Sequence, residues 1–360
     1  MKKTLIAVAA LAATGAFAQN VTVYGRLDVG YASTTNTVTA AGVSTDTKAT
    51  GVQSHNSVSS MWGLKGSEDL GGGMNAFFIL EQDVYPADGN QGVSGAGGGL
   101  TSAAVFDRVS LLGVNGGFGS IAFGRDYTAA FKVVAATDVN ALSRISTVQN
   151  AANLGGSSQP NLVFYSTPNL GGFMINLNYG NQDTGTSAAG GDAKVKTGIV
   201  SGTYANGPLY VGLAAGSVET TAGAAVSKTE GSVIGASYDF GRFKLLGNYL
   251  TSKATAAAGT AVDAKELNIG AAIPVGKVTI TLQYGTNAAS GNGAIATGIG
   301  AGNTDVTGTD YVIGADYNLS ARTALFLKTG TYAKISGTVN GDTTVDNKNV
   351  STAFGIKTTF

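Results

Sequence analysis

The sequence predicts an all-β fold, a closed 16-stranded antiparallel transmembrane β-barrel. Three observations predict it. Apolar and polar residues alternate with a period of two in segment after segment. The connectors between those segments alternate between very short and long. No stretch after the amino terminus is long and apolar enough to cross a membrane as a helix, so a chain that lives in lipid has only a closed barrel with which to satisfy its backbone.

The alternation is clearest at the carboxyl terminus. Val350, Thr352, Phe354, Ile356, Thr358 and Phe360 share one face, and Ser351, Ala353, Gly355, Lys357 and Thr359 the other. Side chains of an extended strand point alternately to its two faces, so this strand has one greasy and one wet side. Such a face recurs along the chain without helices or apolar runs to cover it, which makes lipid the natural cover.

The amino terminus supplies an export route. Lys2 and Lys3 precede the apolar run from Leu5 to Ala13, and Ala16-Phe17-Ala18 has the small, spaced residues of a cleavage site. The run falls short of the ~20 residues a spanning helix requires. Residues 1–18 are therefore expected to be a cleaved signal peptide, and residues 19–360 a single barrel domain. The leader holds two of the 22 basic residues and no acid, so the mature chain sets 20 basic against 22 acidic groups. That near balance speaks against nucleic-acid binding. The chain is 12% charged, about half the share usual in a soluble domain, and its 14 Tyr and 14 Phe can furnish interfacial rings.

Strands are expected at 21–31, 58–67, 73–83, 103–113, 118–125, 161–167, 172–180, 194–205, 208–217, 229–240, 243–251, 264–274, 277–286, 309–319, 322–334 and 349–360. Seven short turns alternate with eight long polar segments at about 32–57, 84–102, 126–160, 181–193, 218–228, 252–263, 287–308 and 335–348. Sixteen antiparallel strands with both termini on the short-turn side need that arrangement. Short periplasmic turns and long external loops are the habit of bacterial outer-membrane barrels. A soluble sandwich of this size would show a linker near the middle, and a β-helix would show a fixed short repeat; the chain has neither.

Parity assigns the inner wall. In 21–31, Val21, Val23, Leu27 and Val29 take the lipid face, so Thr22, Tyr24, Arg26 and Asp28 point inward. Trp62 and Leu64 face lipid while Met61, Lys65 and Ser67 face the lumen. In 73–83, Ala76, Phe78 and Leu80 point outward, and Asn75, Phe77, Ile79, Glu81 and Asp83 inward. Arg108 has the opposite parity to Val105, Val109 and Leu111, which places it in the lumen. A charge on the lipid face at mid-membrane costs about 2–4 kcal/mol, which drives these side chains to water. A 16-stranded barrel is wide enough to hold an aqueous channel. The longest connector, 126–160, carries Phe131, Lys132, Val133, Val134, Asp138, Leu142, Arg144 and Ile145. Its apolar residues call for burial, which folding into the barrel would supply.

Catalysis lacks the necessary groups. His55 is the one histidine and there is no cysteine, so neither a nucleophile with its base nor a metal or cofactor site is expected.

Five segments resemble a known family: VTVYGRLDVGY (21–31), SSMWGLKGSEDLGGGMNAFFILE (59–81), GGFGSIAFGRDY (116–127), YSTPNLGGF (165–173) and the final Phe360. Together they are similar to the trimeric general porins of β-proteobacteria, including the neisserial type. The resemblance implies a homotrimer in the outer membrane of a Gram-negative bacterium, amid lipids and lipopolysaccharide, with a third loop folded inward as the constriction. It also implies passive diffusion of small hydrophilic solutes and ions. Glu81 matches the strand-three carboxylate, Arg108 the strand-four arginine, and Asp138 the third-loop acid that follows the turn Gly124-Arg125-Asp126. The expected pore-lining set is Arg26, Asp28, Lys65, Glu81, Arg108, Arg125, Lys132, Asp138 and Arg144, a basic wall facing loop acids. Met61 and Ser158 stand where relatives often carry arginines, which lowers the positive charge of that wall. A channel specific for small organic anions, or a barrel adhesin, are the alternatives the residues leave open.

Overall fold

A computed structural model of the chain describes residues 21–40, 42–91, 105–148, 156–186, 192–294, 301–339 and 342–360. The expected leader at 1–18 lies outside them. In chain order the strands are β1 (Thr22–Ala40), β2 (Val43–Ser54), β3 (Met61–Gly71), β4 (Met74–Tyr85), β5 (Asn90–Gln91), β6 (Val109–Gly116), β7 (Gly119–Tyr127), then β8 (Ser158–Ser166) and β9 (Phe173–Thr186). The second half contributes β10 (Asp192–Asn206), β11 (Leu209–Ala222), β12 (Ala225–Asp239), β13 (Lys244–Thr255), β14 (Ala261–Val275), β15 (Val278–Ala294), β16 (Ala301–Asn318), β17 (Thr323–Val339) and β18 (Asp342–Thr359). Among the described residues one helix, α1 (Ala129–Thr137), follows β7.

These elements make a closed antiparallel barrel of 16 wall strands. β5 is a two-residue hairpin tip on β4, and β2 and β3 together form one interrupted wall strand, since β1 pairs with β2 from Val29↔Ser54 upward and with β3 from Arg26↔Met61 downward. Closure comes from β18, which pairs with β1 from Arg26↔Thr359 to Thr39↔Asp346. Phe360 completes the seam by exchanging two backbone hydrogen bonds with Gly25, at 3.0 and 3.1 Å. A closed ladder leaves no edge for lipid to meet, which is what a membrane demands of strands.

The strands run farther than expected at the long-loop end. The first long segment is a β-hairpin, and neighbouring strands such as β11 and β12 pair to their tips at Ala222↔Ala225. Alternating Thr, Ser, Val and Lys continue the ladder in water as readily as in lipid, so polarity does not mark where a strand stops. At the other end, Gly71, Gly72 and Gly73 hold φ of 78°, 61° and 77° in succession, a left-handed run that only glycine adopts freely.

One strand has its faces exchanged relative to the sequence reading. β6 begins at Val109, six residues after the expected start, and Val109 and Leu111 are buried inside the barrel against Leu162 and Phe164, with Phe77 and Ile79 packed beside them. Leu112 carries the outward face. The adjacent pair Leu111-Leu112 satisfies either parity, and the apolar inner neighbours decided it. Arg108 reaches the lumen because it precedes the strand, where its amide donates to the Glu81 carbonyl at 3.2 Å.

The segment after β7 forms a second layer inside the barrel. Thr128 caps α1, its hydroxyl accepting the Phe131 amide at 3.1 Å, an interaction worth about 1 kcal/mol. Nine residues are too few for a stable isolated helix, so packing must hold it. Ala129, Ala130, Val133 and Val134 are buried against Ile199, Ala214, Val233 and Leu250 of β10 to β13. Farther along, Ile145 is buried with Ala32, Val312, Phe326, Tyr332 and Ala353. Each fully buried Val or Ile contributes about 1.5–3 kcal/mol.

Candidate pore constriction

The inner layer rests on a track cut into the wall. Were Gly212, Gly235, Gly270 and Gly285 to carry a Cβ, it would come within 2.5–2.9 Å of Val133, Thr137, Val139 and Thr147 respectively. These glycines belong to β11, β12, β14 and β15, so the third loop is seated where four strands lack side chains. Amide side chains then pin it. Asn178 accepts the Ala129 amide, Asn248 donates to the Thr137 hydroxyl at 3.2 Å, and Asn268 accepts the Thr147 hydroxyl at 2.6 Å.

Asp138 belongs to this seat, not to the pore surface. It is 6% exposed, and its carboxylate accepts the amides of Asn140 (3.0 Å) and Leu142 (2.6 Å), the Ser146 hydroxyl (3.1 Å) and the Gln283 amide group (2.7 Å). Those bonds tie the turn after α1 to β15. Burial pushes the Asp138 carboxyl pKa up, and the amide donors act against that shift.

Asp28 is likewise enclosed, at 0% exposure, where open water was expected. Its carboxylate accepts the amides of Asn56 (3.1 Å), Ser57 (2.6 Å) and Val58 (2.8 Å), and its own amide donates to the Ser60 hydroxyl at 2.8 Å. This gathers the 55–60 segment, which interrupts β2 and β3, and turns it into the barrel. His55 opens that segment at φ 66°, stacks on Tyr85 with ring centroids 4.3 Å apart, and accepts the Arg144 amide at its carbonyl.

Two lysines outside the expected pore-lining set hold the inturned segments together. Lys328 is buried, its ammonium donating to the Ser143 hydroxyl at 3.0 Å and the Ser57 carbonyl at 3.4 Å. Lys357 donates to the Ser57 hydroxyl at 3.0 Å and pairs with Asp316 at 2.7 Å. The parity of Lys328 against Leu325 and Leu327 carried the signal of an inward cation, though not its partners.

The wall formed by β1, β3, β4, β6 and β7 presents charged groups. Arg108 pairs with Asp83 and stands 3.6 Å from Glu81, while the Tyr24 hydroxyl donates to Glu81 at 2.8 Å. The Arg108 guanidinium lies over the Tyr127 ring, 5.5 Å from its centroid. Arg26 donates to the Ser59 carbonyl at 2.7 Å, and Arg125 donates to the Asp107 carbonyl. Lys65 is exposed above the Tyr24 ring.

Across from this wall, the outer surface of the third loop shows Lys132, Ala135, Ala136 and Arg144. Lys132 pairs with Asp126 at 2.6 Å. Arg144 is exposed, and its side chain makes no hydrogen bond or ion pair among the described residues. Among the described residues the loop acid Asp138 is buried and Arg108 of the wall stands between two carboxylates, so these two do not face each other across open water.

The model of the Gram-negative porin family matches residues 4–340. Outer membrane porin protein 32 of Delftia acidovorans is 34% identical over 298 residues, 79% of each chain. An outer membrane porin protein of Bordetella pertussis is 28% identical over 276 residues, 68% of each. The structure of an anion-selective porin from Comamonas acidovorans superposes with a TM-score of 0.72 at 25% identity, covering 95% of this chain and 100% of that one. A trimer form of OmpT from Vibrio cholerae, 16% identical, shares the fold with a TM-score of 0.64 over 95% of this chain and 100% of that one.

Proposed function

This chain belongs to the Gram-negative porin family, and on that premise we propose that its constriction favours small anions weakly and that Arg144 is the charge that sets the sign. The protein is an outer-membrane porin, a water-filled barrel through which small hydrophilic solutes diffuse. Porins are channels rather than enzymes, and no group of three or more His, Cys, Asp or Glu fit to hold a metal occurs among the described residues.

The carrying observation is the imbalance of partners at the third loop. Glu81 and Asp83 share Arg108, Asp126 has Lys132, and Asp28 and Asp138 are enclosed by amides. Arg144, by contrast, is exposed with a free guanidinium. A charge in water acts over about 10 Å at 0.1 M salt, so a cation on the inner layer raises anion concentration beside it. Arg26, Lys65 and Arg125 add to the same sign, and Lys132 contributes less because Asp126 pairs with it.

The solved porin from Comamonas acidovorans is described as anion-selective, which supports the same direction. Assembly as a homotrimer belongs to this reading too, as does an outward face bathed by lipid and lipopolysaccharide. The test is the reversal potential of the purified protein in a planar bilayer under a salt gradient. The wild type should show a small anion-favouring potential, and Arg144→Glu should reverse it with conductance nearly kept. A cation-favouring wild type, or a potential indifferent to Arg144→Glu, would overturn the assignment.

A further inference from the structure

We propose that a basic dent on the outward face of β14 to β17 seats the phosphorylated headgroup of an outer-leaflet glycolipid. The inference rests on the outer-membrane placement and lipid contact given above and assigns that contact to particular residues.

The dent has a structural cause. Along β17, Phe326, Lys328, Gly330 and Tyr332 face inward and are buried. The register of β17 against β18 then jumps from Tyr332 to Ile335, and that of β16 against β17 jumps between Thr307 and Tyr311. Ala333, at φ 53°, lies at the first irregularity. Bulges re-aim side chains. Ile335 becomes the buried, inward residue, which sends Lys334 and Ser336 to the outward face instead. Gly308 permits the approach, because a Cβ there would fall 1.6 Å from the Lys334 carbonyl oxygen. The result is a depression of about 450 Å³.

Its chemistry is two-layered. Lys265, Lys334, Thr286, Thr307 and Ser336 supply two ammonium groups and three hydroxyls, and Leu267 and Tyr249 supply an apolar border. Register brings them into line: Lys265 pairs with Ala288, Ala288 with Thr307, and Thr307 with Ser336. Three strand spacings put Lys265 and Ser336 roughly 14 Å apart at the backbone, a span that lysine stems can close over a phosphate. Neither ammonium has a carboxylate within ion-pair distance among the described residues. Glu266, which also borders the dent, accepts from Asn268 at 2.7 Å on the other face. Toward the short-turn end, the exposed outward residues Ile269, Tyr284, Tyr311 and Ile313 mark the band that lipid tails cover. The dent therefore lies where that band gives way to headgroups, on the long-loop side. A ligand that fits must join phosphate to an acyl body, which selects a phosphorylated glycolipid over a free anion.

The experiment uses the refolded full chain in neutral detergent, with diphosphoryl lipid A, its dephosphorylated form and inorganic phosphate as probes, read by native mass spectrometry. Wild type should retain diphosphoryl lipid A, and Lys265→Glu with Lys334→Glu should weaken it by roughly tenfold or more. The dephosphorylated lipid should bind poorly and inorganic phosphate should not displace the lipid. Lys277→Glu, in a short turn at the opposite end, should bind like wild type. Retained single-channel conductance shows that the double variant has folded; should it not fold, Lys265→Gln with Lys334→Gln takes its place. Undiminished binding to the double variant overturns the site while leaving lipid contact standing. No binding by wild type overturns both. Displacement by phosphate, or equal loss in Lys277→Glu, replaces a lipid seat with general anion attraction.

Discussion

The inner surface of this barrel has two halves that obey the same parity rule and carry opposite chemistry. On β1, β3 and β4, inward positions near the constriction are ionic, with Arg26 half-buried, Lys65 exposed and Glu81 largely buried against Arg108 just before β6, while the inward Val109 and Leu111 of β6 are apolar. On β9 to β15 the positions that meet the third loop are neutral, Asn178, Gly212, Gly235, Asn248, Asn268, Gly270, Gln283 and Gly285, and the acid Glu266 beside them is buried and accepts from Asn268. A surface facing water solvates charge at no cost. A surface under a packed layer must offer room or matched hydrogen bonds, because an unmatched buried polar group costs about 1–3 kcal/mol. The half-barrels differ because one of them is an interior.

The comparison predicts that the two halves fail differently. Arg108→Ala should have the largest effect, since it leaves Glu81 and Asp83 side by side without their cation; breaking a buried charge cluster of this kind costs about 3–5 kcal/mol. The reversal potential should move toward cations and the urea midpoint should fall. A variant with unchanged selectivity would erase the ionic character assigned to the bare half.

Asp138→Ala comes next. It deletes the acceptor of four hydrogen bonds in the covered half, for a loss of about 3 kcal/mol if two of them count as full charge-assisted bonds. Here single-channel recordings should turn noisy and the loop should become open to protease, with the sign of selectivity kept. Quiet channels of wild-type size would show that Asp138 does not hold the loop.

Gly235→Leu is the smallest of the three. It pushes a side chain into Thr137 at the loop seat, an overpacking of about 1–3 kcal/mol. Conductance should change while the reversal potential stays, and the Thr137→Gly background should relieve part of the change. Equal effects in both backgrounds would separate Gly235 from the loop.

The sequence alone determined the barrel. Period two, alternating connector lengths and a terminal aromatic strand are local properties, and each follows from what lipid on one side and water on the other permit at single positions. Parity also placed Arg26, Lys65 and Glu81 on the inner wall, and the apolar residues of 126–160 announced a loop that needed burial. It could not determine which inner positions would be covered. Asp28 and Arg26 share a face of β1, yet one is enclosed by the amides of 56–58 and the other donates to a carbonyl at 59. Asp138 and Arg144 lie six residues apart in one loop, yet the first anchors it and the second is exposed. Parity fixes a side chain's direction through its own backbone, whereas cover depends on chain brought back from far along the sequence. Only the tertiary structure, by laying the third loop in its glycine track and turning 55–60 inward, decided which charges hold the channel together and which face the solutes.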